Sequence, residues 1–270
     1  RGCGELVWRM VLGIWQAHVL QTQVYMLWVD LSKCFMTFSR AVGQHTQARR
    51  GVPLQVRRAV WNLYGRPRGS FDSAFGCCAD FGILRGYLQG SLEAPDLCIG
   101  DMNVLCEIMD LKVVGLRWWS GHVDGSHTVQ TVFVDDGCAV NGSPDMQSRA
   151  AFVWSLWAFV YGTEINVKAD GSKTAVSGMQ YLPVKGRRHL LRASPPHASH
   201  RVYLLDGRRC PDIHYLMFYV YLGQCISLSG SCRHTLEKLR GDLARCIAAV
   251  RGRKAAMPVS YTHLTLPTTD

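Results

Sequence analysis

An unbroken apolar run, Val24-Tyr25-Met26-Leu27-Trp28-Val29, stops at Asp30, and a second, Thr131-Val132-Phe133-Val134, stops at the pair Asp135-Asp136. Short apolar runs that end in polar residues predict buried strands. Helical spacing predicts a helix over residues 6–21, with Trp8 and Trp15 in it, and a further helix within residues 31–43. Residues 53–64 predict another, with Val56, Val60 and Leu63 on one face and Gly65 at its end. Residues 71–84 predict a hairpin. Pro95 stands where a helix can begin without losing a hydrogen bond, and residues 96–113 carry apolar side chains at helical spacing. Residues 146–162 predict a strongly apolar helix packed on the sheet, and residues 215–226 a strand. Ser231 predicts the cap of a last helix with Leu236, Leu239, Leu243, Cys246, Ile247 and Val250 on one face and Arg233, Lys238, Arg240 and Arg245 on the other. Ser194-Pro195-Pro196 marks a loop. The sum is an α+β fold, an antiparallel sheet backed by helices.

Two strands that each finish in carboxylate suit a site for divalent cations, because magnesium prefers hard oxygen ligands and must be held from more than one side. The bland alternative is a tight hairpin, since Asp136-Gly137 supplies the positive φ angles of a two-residue turn. The two readings are compatible, because a hairpin tip anchored in a core presents carboxylates rigidly. Three carboxylates crowded together repel one another, so one of them should resist ionisation.

The 270 residues, 48% of them apolar, can bury the core of one large domain, alone or with an appended subdomain. Eleven scattered cysteines without a visible signal peptide favour reduced thiols and an intracellular setting. Cys225, Cys232 and His234 lie close together and Cys77-Cys78 are adjacent, but without paired C-x-x-C units these read as core cysteines rather than a zinc site. No nucleophile-elbow pattern supports a serine-histidine-aspartate hydrolase. The most apolar stretch, residues 150–161, is shorter than the roughly 20 residues a membrane span needs, so no membrane partner is expected. A net charge of +10, clustered at Arg49-Arg50, Arg57-Arg58, Arg66 and Arg68, Lys185 with Arg187-Arg188, and Arg208-Arg209, favours a polyanionic partner over a merely basic soluble protein.

The order of further motifs narrows the reading. Val29-Asp30-Leu31-Ser32-Lys33-Cys34-Phe35 is followed by Gly86-Tyr87-Leu88-Gln89-Gly90 with Pro95, then by Val134-Asp135-Asp136, Asn166, Lys173-Thr174 and Tyr221-Leu222-Gly223. In that order the chain, from about residue 20 to about residue 250, resembles the palm region of reverse transcriptases, specifically those of non-long-terminal-repeat retroelements and group II introns. The resemblance implies an RNA-directed DNA polymerase, a nucleotidyltransferase using two Mg2+ ions, replaceable by Mn2+. Its partners would be an RNA template, a DNA primer and deoxynucleoside triphosphates. Asp30 and Asp135 would hold both ions, Asp136 would lie beside them, and the Leu31 carbonyl would complete one coordination shell. Phe35 would lie under the incoming sugar and exclude a 2′-hydroxyl. Gln89 and Gly90 would line the nucleotide and template pocket, and Lys173 would protonate the pyrophosphate leaving group.

The resemblance implies fingers and palm over residues 1–228 and the start of a thumb over residues 229–258. Residues 259–270 resemble a translated sequencing adapter and are expected to be non-native. A first residue other than methionine and a missing basic finger segment suggest a fragment. The chain departs from the family pattern at Met36, where an acidic residue is common, and at Leu88, where arginine is frequent; the interval from Asn166 to Lys173 is also long. These departures keep an alternative open, a degenerate remnant that binds nucleic acid without catalysis.

Overall fold

The computed structural model describes residues 3–65, 67–70, 72–74, 76–77, 81–88, 90–117, 127–128, 130–167, 173–192, 213–216, 218–231 and 233–252. The chain divides into two compact units, Arg1–Ser231 and Cys232–Asp270.

The first unit opens with α1 (Cys3–Leu20), which buries Met10, Ile14 and Ala17 and leaves Trp8 and Trp15 65% and 64% exposed. The apolar run then forms β1 (Val24–Ser32), buried through Leu31. A strand covered on both faces has no polar alternation, which is why its sequence is continuously apolar. The helix expected within residues 31–43 is broken: α2 (Cys34–Thr37) stops at Phe38, whose backbone is extended, and α3 (Arg40–Arg49) restarts with the Ser39 side chain accepting from the Val42 N–H. Phe38 is completely buried, so tertiary packing overrides the local helical tendency there. Next, α4 (Leu54–Leu63) forms at the expected place but turns a different face inward, since Trp61 is buried while Val56 and Leu63 are 50% and 64% exposed.

The predicted 71–84 hairpin is a pair of short ladders, β2 (Arg68–Gly69) with β5 (Phe81–Gly82) and, between them, β3 (Asp72–Ser73) with β4 (Gly76–Cys77). Helix α5 (Ala94–Lys112) carries Pro95 in its first turn. Strands β6 (Leu116–Arg117) and β7 (His127–Thr128) pair, and β8 (Gln130–Phe133) returns as β9 (Asp136–Asn141). Ser143 caps α6 (Pro144–Tyr161), which ends at a left-handed Gly162 and buries Trp154, Trp157 and Tyr161. Strands β10 (Glu164–Ile165), β11 (Ala175–Val184) and β12 (Arg187–Arg192) follow, then β13 (His214–Tyr215), β14 (Phe218–Tyr221) and β15 (Gln224–Ser227). The single strand expected over residues 215–226 is therefore β13 plus the β14–β15 hairpin, turned by Leu222 and Gly223 at positive φ.

Among the described residues the main sheet has seven strands, in the order β12-β11-β1-β9-β8, with β10 also on β1 and β13 on β11. All its pairings are antiparallel except β11 with β13. The fold is mixed α+β. One apolar cluster holds Leu27, Val29 and Leu31 of β1 against α5 and α6 and is closed by Phe38, Tyr87, Trp154 and Trp157. A second holds Val24, Met26 and Trp28 of the same strand against Met10 and Ile14 of α1 and Tyr219 and Tyr221 of β14. In the second unit α7 (Arg233–Gly252) carries Leu236, Leu239, Leu243 and Ile247 on its surface. No described helix is long and apolar enough to cross a membrane.

Candidate functional site

Strand β1 lies between β9 and β11, and that placement brings the two acidic motifs together. Asp30 is the direct cross-strand partner of Asp136, and the Leu31 N–H donates to the Asp135 carbonyl at 3.0 Å. Directly paired residues on antiparallel strands have Cβ atoms about 5 Å apart, so the Asp30 and Asp136 side chains share one face. Asp135 occupies the turn and is exposed.

The turn sits elsewhere than the sequence suggests. Phe133 pairs with Asp136, so Val134 and Asp135 form the two-residue loop, and Val134 is held at φ 56°. Gly137 is inside β9. Its place is fixed by close approach: a Cβ there would overlap the indole of Trp154 on α6. Valine in the left-handed region is strained, and such strain persists only where surrounding structure over-determines it.

Asp30 is held from every side. Lys173 Nζ donates to Oδ1 at 2.8 Å, Asn166 Nδ2 donates to Oδ2 at 2.7 Å, the Asn166 N–H donates to its carbonyl at 2.8 Å, and its own N–H donates to Thr174 Oγ1 at 3.2 Å. The segment between β10 and β11 thus wraps the aspartate. Behind it, Tyr219 donates to the Lys173 carbonyl, and Tyr221 Oη lies 3.4 Å from both the Thr131 and the Asp136 carbonyls. Trp28 stacks on Tyr219 at 4.9 Å. Sequence reasoning gave Tyr219 no role; its signal was the alternation Phe218-Tyr219-Val220-Tyr221, whose two tyrosines both face inward.

The electrostatics follow from this crowding. Burial, with the charges of Asp135 and Asp30 added, pushes Asp136 up to about 6, and only Lys173 opposes the shift. Lys173 itself is raised, chiefly by its hydrogen bond to Asp30 against a smaller opposing effect of burial. Among the described residues no three His, Cys, Asp or Glu side chains are arranged to hold a metal ion. The Lys173 ammonium and the Asn166 amide occupy both Asp30 oxygens.

No family model and no curated protein matches the chain.

Next to the carboxylates lies the short helix with Phe35, half-buried and packed on the core. The Tyr87 N–H donates to the Phe35 carbonyl at 2.6 Å and the Gly86 N–H to the Phe38 carbonyl at 2.9 Å. Gly86, at φ 78°, leaves no room for a side chain over the Met36 backbone. Arg40 clamps the same loop, donating to the carbonyls of Gly86, Tyr64 and Arg85 at 2.8, 2.9 and 3.1 Å. Gly90 is exposed at φ 94°; Gln89 lies outside the described residues. Leu31 is buried in β1, so of this residue only the backbone is placed to serve a ligand.

Proposed function

We propose that the chain is the palm region of a retroelement reverse transcriptase, an RNA-directed DNA polymerase that extends a primer 3′-hydroxyl with deoxynucleotides. The main sheet would be the palm, the helices and loops around Gly86 to Gly90 part of the fingers, and α7 the start of a thumb. The observation that carries the proposal is the pairing of Asp30 with Asp136 beside the Asp135 turn, which sets the carboxylates of two motifs distant in sequence at one end of adjacent strands.

The donor atoms are the hard oxygens that a divalent cation prefers, but among the described residues no three of these side chains are arranged to hold one, and Asp136 is raised first by burial and then by the charges of Asp135 and Asp30. For Asp30, Asp135 and Asp136 to hold magnesium, Lys173 and Asn166 would have to release the Asp30 oxygens; the ion would then supply a lowered pKa for a coordinated hydroxyl and charge to neutralise departing phosphates. Lys173, kept protonated by Asp30, would be the proton donor to the leaving pyrophosphate, a role for which its raised pKa would have to fall as Asp30 lets it go. Phe35, fixed by its carbonyl bond to Tyr87, would form the floor under the sugar, and the open backbone at Gly90 would border the base pair. RNA template and DNA primer are the polyanionic partners that the net charge of +10 favours.

A second reading has its own support. Both oxygens of Asp30 are taken up by Lys173 and Asn166, as suits a remnant that binds nucleic acid without turnover. Magnesium-dependent extension of a primed RNA template decides between them. Incorporation that Asp135→Asn reduces at least a hundredfold, with the fold unchanged, supports the polymerase; template binding with no incorporation supports the remnant.

A further inference from the structure

Strands β11 and β12 outrun the sheet they belong to. β1 accompanies β11 only from Ala175 to Met179, whereas β11 and β12 remain paired out to Val184 and Arg187. Beyond Met179 the two form a ribbon with no third strand beside it among the described residues. Lys185 at φ 48° and Gly186 at φ 77° close it, a turn that matches the natural twist of a hairpin. Pro183 is tolerated there because a strand edge facing solvent needs no donor.

Residues 182–188 are all exposed, and three of the seven are cations. Lys185 is at the tip. Arg187 pairs with Val184 and Arg188 with Pro183, so the two arginines point to opposite faces of the ribbon. None of the three makes an ion pair among the described residues; Arg188 donates weakly to the Gln21 carbonyl at 3.4 Å. Three like charges with no ion pair among the described residues repel one another on a thin arm. Cations on both faces match an environment that is anionic on both sides. A nucleic-acid groove, walled by two rows of phosphates, is such an environment, and it is wide enough for a two-stranded ribbon in B-form DNA.

The arm also has a defined reach. β11 starts next to Thr174, which bonds Asp30, and ten strand residues place the tip roughly 30 Å from the carboxylates. At about 3.4 Å per phosphate along one strand, that is about nine base pairs.

We propose that the β11–β12 arm inserts between the phosphate rows of a nucleic-acid duplex about nine base pairs from the carboxylate cluster. The location of that duplex rests on the polymerase reading; binding by the arm can be measured without turnover. The test is fluorescence anisotropy of the full chain with a 20-base-pair DNA duplex, the matching RNA–DNA hybrid and the single strand, over a range of salt. Lys185→Ala/Arg187→Ala/Arg188→Ala should weaken binding of at least one duplex tenfold or more and flatten the slope of log affinity against log salt by up to about 2.7, or 0.9 per cation. Single-strand binding should change less, and Arg187→Lys/Arg188→Lys should keep most of the affinity. Arm-dependent binding by a chain that extends no primer sustains this proposal while rejecting the polymerase. Unchanged duplex affinity and slope in the triple alanine variant overturns the proposal. So does an equal loss on the single strand.

Discussion

At the scale of single residues, two positions have consequences that can be measured. Gly137 lies against the fully buried Trp154, and a methyl group there would have to displace the indole or the strand. Overpacking of this kind costs about 1–3 kcal/mol, so Gly137→Ala should lower the melting temperature by roughly 2–10 °C. An unchanged melt would show that the strand can move away at no cost. Asp101 on α5 is 1% exposed, accepts from Tyr87, and is pushed up to about 6 mainly by burial. A carboxyl raised from 3.8 in the folded state holds its proton more tightly there, so its contribution favours the fold below pH 3.8 and is lost as pH rises towards 6. Above that window the penalty is on the order of 3 kcal/mol. Asp101→Asn keeps an acceptor for Tyr87 without the charge. It should raise the melting temperature at about pH 8 and barely change it at about pH 4; equal shifts at both would locate the cost elsewhere.

At the scale of elements, the strands and helices with strong local signals were legible in the sequence and the turns between them were not. β1 could be read because burial on both faces leaves an unbroken apolar run, and α5 because Pro95 marks its first turn. The two hairpins at the site were misread for one reason. Their left-handed positions are taken by Val134 and Leu222, which disfavour that conformation, while Asp136-Gly137 offers a better turn sequence and lies in a strand. β11 was missed because its buried half includes Ser177 and Gly178; the serine is satisfied by the indole of Trp28, a partner that only the fold supplies. Of the candidate site, the aspartates were legible as strand ends, but the bonds from Asn166 and Lys173 to Asp30 were not, since they depend on how β10 and β11 flank β1. The β14 tyrosines give a test at this scale. Tyr219→Phe removes the donor to the Lys173 carbonyl and should cost about 1 kcal/mol, with a melting temperature lower by a few degrees. If stability and primer extension both stay at wild-type values, Tyr219 does not position the Lys173 segment.

At the scale of the whole first unit, the sheet is built around a strand made early in the chain. β1 is flanked by β9 and β11, and both come far later in sequence. An emerging polypeptide would therefore carry the wholly apolar segment 24–29 with neither neighbour made, a sticky edge that chaperones must shield or that aggregates. Distant pairings also slow the search for the native state. Refolding from denaturant should take on the order of seconds rather than milliseconds and lose yield steeply as concentration rises; fast, concentration-independent recovery in stopped-flow fluorescence would contradict this.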